Sequence, residues 1–404
     1  MGLPKLLMAH PWMGRGGSEA AAAWATQALQ DDYEVTFVTS SPLDWDDINS
    51  IYGTRVDAAK VKYLWCPPAP TVRDPVRLSH LQRNVVERFC RRIADDFDVC
   101  FSAYNPIYFG RPGIQLIGDF SFSEEMRKRL YVHGESKFCH RASPVRDLYV
   151  SVSDHIGGPK PRLCQRGDLV LANSQWSARQ LADCFDLPRA DVIYPPVVLP
   201  KAPAESNRDP LGFVCLGRIV PEKEIERMIK ILTRVRESGY PVTLRLIGAL
   251  DDSAYSRSLA KFIEPLKDWV SPTGYLTLDD KQEILSTQTY AIHGCRIEAF
   301  GIAVAEMASM GCVPFVPSSG GAGEIVGHPE LQYSTDDEAV EKILSFLSDP
   351  SKAEEVRASL PLEMERFGPE VFMNDVRKSV LGFLDPEISS SNHAAPCEDI
   401  TPVV

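Results

Sequence analysis

Residues 289–326, TYAIHGCRIEAFGIAVAEMASMGCVPFVPSSGGAGEIV, place a strand, a loop, a helix and a second strand in one stretch. Residues 289–295 and 312–318 are short apolar runs of strand length, and 302–310 has a helical pattern between them. Two buried strands joined through a helix predict a parallel α/β sheet with both faces covered. Glu298 falls in the loop after the first strand. Glu306 lies two turns into the helix, on the face of Ile302 and Met310. A carboxylate on an otherwise apolar helix is not an ordinary surface residue. Phe300, Gly301 and Ile302 put free backbone N–H groups at the helix N-terminus, which suits an anion. The loop from Ser318 to Glu324 is rich in glycine and offers further amides. His293 sits at the ligand-binding end of its strand, as a cleft residue or an ordinary strand-end histidine.

The same alternation extends outward in both directions. Strands are predicted at 212–218, 242–248 and 269–276, with helices at 222–238, 253–267, 278–286, 336–348 and 369–384. Upstream, strands fit 5–10, 34–40, 61–65, 99–104, 114–119, 168–174 and 191–197, with helices at 17–30, 76–94, 122–131 and 175–185. Two such sets predict two Rossmann-like domains, at 1–198 and 211–368. Residues 199–210 are Pro-rich and aperiodic, as a linker is. The helix at 369–384 opens a segment, 369–386, that follows the second domain, and 387–404 is polar, Pro-broken and expected to be disordered.

Each half opens on a turn that can approach a ligand. Gly14, Gly16 and Gly17 follow the first strand and precede an Ala-rich helix. Glu19 occupies the third position of a dinucleotide fingerprint, and no acid ends the second strand, so a dinucleotide fold is disfavoured. In the second half, Arg218 and Lys223 lie after the first strand with Pro221 between them, where open α/β sheets bind ligands. An Arg and a Lys so spaced can converge on one diphosphate; the alternative is a solvated basic turn, Lys223 being paired to Glu222, Glu224 or Glu226.

The composition narrows the classes. The 404 residues carry a net charge of −12, which argues against a general nucleic-acid binder. Residues 1–200 are balanced, with 23 Lys/Arg and 23 Asp/Glu, so the second half carries the whole deficit. Ten cysteines without a C-x-x-C pair predict reduced thiols in a cytoplasmic protein. No apolar run spans a bilayer, and the first residues read as a strand rather than a signal peptide.

Taken together, Glu298 and Glu306 seven residues apart, Arg218 and Lys223, the Gly16-Gly17 turn and the S-G-G-x-x-E-I-V segment resemble the retaining glycosyltransferases of family 4. The resemblance covers nearly the whole chain. It implies a GT-B fold, two Rossmann-like domains with parallel sheets facing a central cleft, and a helix at 369–384 crossing back to the first domain. It also implies that Arg218 and Lys223 neutralise a donor diphosphate and that Glu306 takes the ribose hydroxyls. Glu298 would lie beside the donor sugar, and the backbone of Phe300, Gly301 and Ile302 against sugar and phosphate. The base would sit near Tyr275 and Leu276, and Gly16 and Gly17 would approach from the other domain. The lysine is commonly followed by Gly in this family, whereas Glu224 stands here. Many relatives carry a histidine after the strand matching 114–118. Asp119 is the candidate for its place, as a sugar-binding or proton-relaying carboxylate, an N-cap being the alternative.

The expectation is therefore a retaining hexosyltransferase using a UDP- or GDP-sugar as co-substrate, with a hydroxyl acceptor and no required cofactor or metal. A phosphorylase, hydrolase or epimerase of the same fold, or a sugar-nucleotide-binding partner without turnover, is the alternative. His10 ends the first strand and is a second cleft candidate. Asp96 and Asp98 lie at the wrong end of the sheet for a metal, and His133, Cys139 and His140 lack a fourth ligand. Residues 78–93 place Leu78, Leu81, Val85, Phe89 and Ile93 on one face with arginines on the flanks. That stripe either packs on the sheet or makes peripheral contact with anionic lipid at the cytoplasmic membrane face. The basic run from Arg127 to Arg166 faces the same choice, or receives an anionic acceptor.

Overall fold

The computed structural model describes residues 2–67, 78–130, 143–188, 190–198, 207–274 and 276–385. The first domain holds β1 (Lys5–Ala9), α1 (Gly17–Leu29), β2 (Glu34–Thr39), α2 (Trp45–Tyr52), β3 (Lys62–Trp65), α3 (Ser79–Ile93), β4 (Val99–Ser102) and β5 (Ile114–Ile117). It continues with α4 (Glu124–Leu130), α5 (Pro144–Gly157), β6 (Leu169–Ala172), α6 (Gln175–Phe185) and β7 (Asp191–Val192). All seven strands are parallel, in the order β3-β2-β1-β4-β5-β6-β7.

The second domain repeats the plan. It runs β8 (Asp209–Leu216), α7 (Ile225–Glu237), β9 (Thr243–Ile247), α8 (Ala254–Ile263), β10 (Val270–Gly274), α9 (Leu278–Thr287), β11 (Gln288–Ile292), α10 (Ile302–Ser309), β12 (Val313–Pro317), α11 (Ala322–Val326), β13 (Gln332–Tyr333), α12 (Asp336–Ser348) and α13 (Pro350–Glu363). Its six parallel strands are ordered β10-β9-β8-β11-β12-β13. Strands β4, β5 and β12 are buried at every residue, as expected where helices cover both faces. Helix α7 shows the matching helical pattern: Ile225, Met228, Ile229, Leu232 and Val235 point inward. The last helix, α14 (Pro369–Leu384), returns to the first domain. Its Phe372, Met373, Val376 and Val380 join the core under α1, and Arg377 Nε donates to Ala28 O at 2.8 Å.

Four helices, α2, α5, α11 and α13, were not expected from the sequence. Residues 41–58 read as a loop with capping acids. Asp44 does cap, accepting from the amides of Asp46 and Asp47, but the helix it caps is α2, closed by Gly53 at φ +71°. Helices α5 and α13 were also missed, the second because Pro361 lies inside it. The expected linker up to residue 206, the tail from 387, Tyr275 and the His133, Cys139 and His140 group lie outside the described residues.

Candidate functional site

In a parallel sheet every strand ends on the same edge, and the order reverses at one point in each sheet: between β1 and β4, and between β8 and β11. The second reversal gathers the residues singled out in the C-terminal half. Arg218 and Lys223 follow β8, and His293, Cys295 and Glu298 follow β11. Arg218 is exposed, and its charge is close enough to oppose protonation of Lys223.

Lys223 sits in a single 3-10 turn whose first residue is Pro221, and its Nζ donates to Glu298 Oε2. The expected alternatives, pairing to Glu222, Glu224 or Glu226, are not what the lysine does. His293 Nε2 lies 3.1 Å from the same oxygen, without hydrogen-bond alignment. Burial raises the Glu298 pKa, but the Lys223 charge and His293 outweigh it and hold the carboxyl well below its ordinary range. Burial lowers the Lys223 pKa, and Glu298 reverses this, leaving it raised. Burial lowers the His293 pKa despite the neighbouring carboxylate, so this ring is neutral at pH 7. The ligand atoms of His293, Cys295 and Glu298 fall within 4.8 Å of one another, the spacing of a metal cluster. Here the cation is the Lys223 ammonium, and burial pushes the Cys295 thiol up to about 12.

Glu224 stands where the resembled family carries glycine, and the backbone answers the question this raised. Its φ and ψ are +50° and +44°, the left-handed region that glycine favours. For a Glu that conformation costs roughly 1–2 kcal/mol. Its carboxylate is bonded to Arg296 Nε at 2.8 Å and to Arg227 at 3.3 Å.

Gly301, at φ +112°, starts α10, whose first N–H groups have no intrahelical partner. Phe300 is buried and fixes this loop in the core. Glu306, two turns along, receives Lys281 Nζ at 3.1 Å from α9. Lys281 gave no signal in the sequence. Leu276 is partly buried against the domain core. In the glycine loop before α11, Gly321 N donates to Glu298 O at 2.7 Å, and a β-carbon on Gly321 would lie 2.4 Å from Ala299 O.

The first domain meets this loop directly. A β-carbon on Gly17 would lie 2.5 Å from Ile302 Cδ1. The Gly16 amide is already engaged, donating to Tyr52 Oη at 2.9 Å. Ser177 Oγ and Ser174 Oγ both donate to Ala299 O, at 3.1 Å and 2.5 Å. Glu324 accepts the Gln175 and Trp176 amides, capping α6 from the opposite domain. Asp119 follows β5 on the same edge. It does not cap α4, which begins five residues later. Its Oδ2 receives Tyr104 Oη at 2.9 Å, and its Oδ1 receives Asn105 Nδ2 and Ser121 N, both at 2.8 Å. Asn105 is buried at φ +59°, a strained backbone that aims its amide at Asp119.

The stripe at 78–93 is used within the protein. Val85, Phe89 and Ile93 pack against the core beneath α3, and α5 covers its other side through a His80–Asp154 contact at 2.8 Å. Among the described residues of the basic run, Arg127 and Arg146 both hold Glu124, and Arg129 reaches Cys184. No described helix is long and apolar enough to cross a membrane. Asp98 has a structural task, accepting the Lys5 amide at 2.7 Å.

Two parallel-sheet domains that touch near the ends of their strands, through Ser174, Ser177 and Gly17, have the GT-B fold. Residues 201–359 match the family model of glycosyl transferases group 1. The chain is 24% identical over 255 residues to a GDP-Man:Man(3)GlcNAc(2)-PP-Dol alpha-1,2-mannosyltransferase of Dictyostelium discoideum, covering 56% of this chain and 50% of that one. An uncharacterized glycosyltransferase of Bacillus subtilis is 29% identical over 162 residues, 39% of this chain and 44% of that one. The chain thus spans about half the length of these curated relatives or less. Among solved structures, Anabaena HepE in complex with UDP-glucose superimposes with a TM-score of 0.64 at 16% identity, over 94% of this chain and 100% of that one.

Proposed function

We propose that the chain is a retaining glycosyltransferase that moves a hexosyl unit from a UDP- or GDP-sugar to a hydroxyl acceptor. The observation that carries this reading is the convergence of Arg218, Lys223, Glu298 and the α10 N-terminus at the β8/β11 reversal, inside a domain that matches a glycosyl transferase family. Relatives named for GDP-mannose and for UDP-glucose support a nucleotide-sugar donor.

On this reading the bond between the sugar's anomeric carbon and the diphosphate breaks, and its electron pair goes to the phosphate oxygen. The acceptor hydroxyl attacks the anomeric carbon from the same face, and its proton passes to the departing phosphate. Arg218 and Lys223 stabilise the charge that grows there, aided by the α10 amides. Binding of the diphosphate draws Lys223 away from Glu298, which frees that carboxylate for the sugar hydroxyls. Glu306 accepts from the ribose, with Lys281 holding its orientation. Asp119 faces the transferred sugar or relays the acceptor proton. The enzyme works as a cytoplasmic protein, and the mechanism needs no metal, since two cations already serve the diphosphate.

A thermal-stability panel of nucleotides and nucleotide sugars at about 1 mM tests the donor: a ligand at a hundred times its Kd adds about 2.7 kcal/mol. Stabilisation by one diphosphate family names the base, and the rank of its sugars names the donor. A folded chain that responds to none of them loses this reading. Analysis of the product's anomeric configuration tests retention.

A further inference from the structure

The first domain has a reversal point of its own, between β1 and β4. His10 leaves β1, fully buried, with neither ring nitrogen hydrogen-bonded. It stacks on Tyr104, which leaves β4, at 5.2 Å between ring centroids. Trp12 meets the same tyrosine edge-on at 6.0 Å. Tyr104 Oη lies 3.3 Å from Ser121 Oγ, which in turn lies 3.5 Å from Arg83 Nη2 of α3. Arg83 is only 7% exposed, and its Nε has no hydrogen-bond partner. Among the described residues no carboxylate comes within ion-pair reach of it. Asp119, the nearest acid in this chain of contacts, is held by Tyr104, Asn105 and Ser121 instead.

A guanidinium buried without a counter-ion is unfavourable for the folded chain. The cost is explained if the counter-ion arrives with a ligand. We propose that this cluster, which reaches the surface at Ser121, is an acceptor subsite and that Arg83 binds an oxyanion, phosphate or carboxylate, carried by the acceptor. The Ser121 hydroxyl adds a neutral partner, and His10 backs the Tyr104 ring from inside the domain. Trp12 offers a ring for the apolar face of a sugar or cyclitol. This proposal rests on the transferase reading and deepens it by stating which acceptors the enzyme takes.

Calorimetric titration of the full chain with inorganic phosphate, and separately with acetate, tests it in wild type, Arg218→Ala and Arg83→Met. The expected result is anion binding that survives Arg218→Ala and weakens by about tenfold or more in Arg83→Met. Arg83→Met should also melt at the same or a higher temperature, since it removes an uncompensated charge. Binding that disappears with Arg218→Ala, or that ignores Arg83→Met, overturns the subsite. A lower melting temperature or failure to fold marks Arg83 as structural, unless Arg83→Lys folds and keeps the site. Phosphate or acetate binding at Arg83 in a chain that binds no nucleotide would keep the subsite and sink the transferase. Nucleotide binding without an Arg83-dependent anion would sink only the subsite.

Discussion

Lys223 and Glu298 are bonded to each other although 75 residues separate them, because β8 and β11 are neighbours at the point where the strand order reverses. The pair ties the turn after β8 to the loop after β11. On the proposed function, it also gives Lys223 a partner that a diphosphate must displace.

Lys223→Met should therefore damage stability as well as activity. It leaves Glu298 charged and enclosed, at an expected cost of about 2–3 kcal/mol, below the range for fully buried pairs because both groups keep some exposure. Adding Glu298→Gln in the same chain should restore most of that loss in urea unfolding. Turnover should stay down by about 10²-fold or more in both, since the cation at the leaving diphosphate is gone. A double variant no more stable than the single one would contradict the pairing.

Stability should depend on pH through two enclosed histidines. Burial lowers the pKa of His10, against the pull of Glu19, and lowers that of His293. Below the unfolded value of about 6.5 the unfolded chain binds more protons than the folded one, so stability falls as pH drops. Each histidine can remove up to about 1.4 kcal/mol per pH unit in that window. Glu298, whose pKa is depressed, adds a further loss once pH falls below about 4.3. Melting temperatures from pH 7.5 to 5 should drop less steeply in His10→Phe than in wild type; equal slopes would refute the buried neutral ring.

Gly321→Ala should reach the donor loop through the backbone. Its new methyl would press on Ala299 O, an atom that cannot swing aside. Strain of this kind typically costs about 1–3 kcal/mol. Donor affinity should fall with stability, because Glu298 and Gly301 flank the displaced carbonyl. Undiminished nucleotide binding would show that the loop yields freely.

Glu324→Ala should loosen the contact between the domains. The carboxylate caps α6 from the opposite domain, and such a cap is worth about 0.5–2 kcal/mol. Small-angle scattering should show a larger radius of gyration for the variant, and nucleotide should reverse less of the change than in wild type. An unchanged scattering profile would show that the other contacts, among them Ser174 and Ser177 on Ala299 O, hold the domains without it.

Much of this protein is legible one residue at a time. The helices at 175–185, 336–348 and 369–384 begin and end where their pattern and caps predict. Their signals are local: Ser174 and Thr335 cap their own helices, and the apolar positions repeat every three or four residues. Glu298, Glu306, Arg218 and Lys223 stood out because charges at strand ends and on an apolar helix break the pattern around them. The two-residue strand β13 carried no such signal. Helix α5 hid inside a basic run, of which Arg127 and Arg146 turned out to face Glu124.

What the chain order decides alone is the alternation of strand and helix, hence parallel sheets, and the side of each sheet on which the loops gather. Tertiary structure decided the partners. Lys223 chose Glu298 over three glutamates nearer in sequence, Glu324 crossed to the other domain, and no carboxylate among the described residues pairs with the enclosed Arg83. The reason is physical: periodicity reports which face of an element is covered, a local property. The partner of a charge depends on which strands become neighbours, and that follows from the packing of the whole sheet.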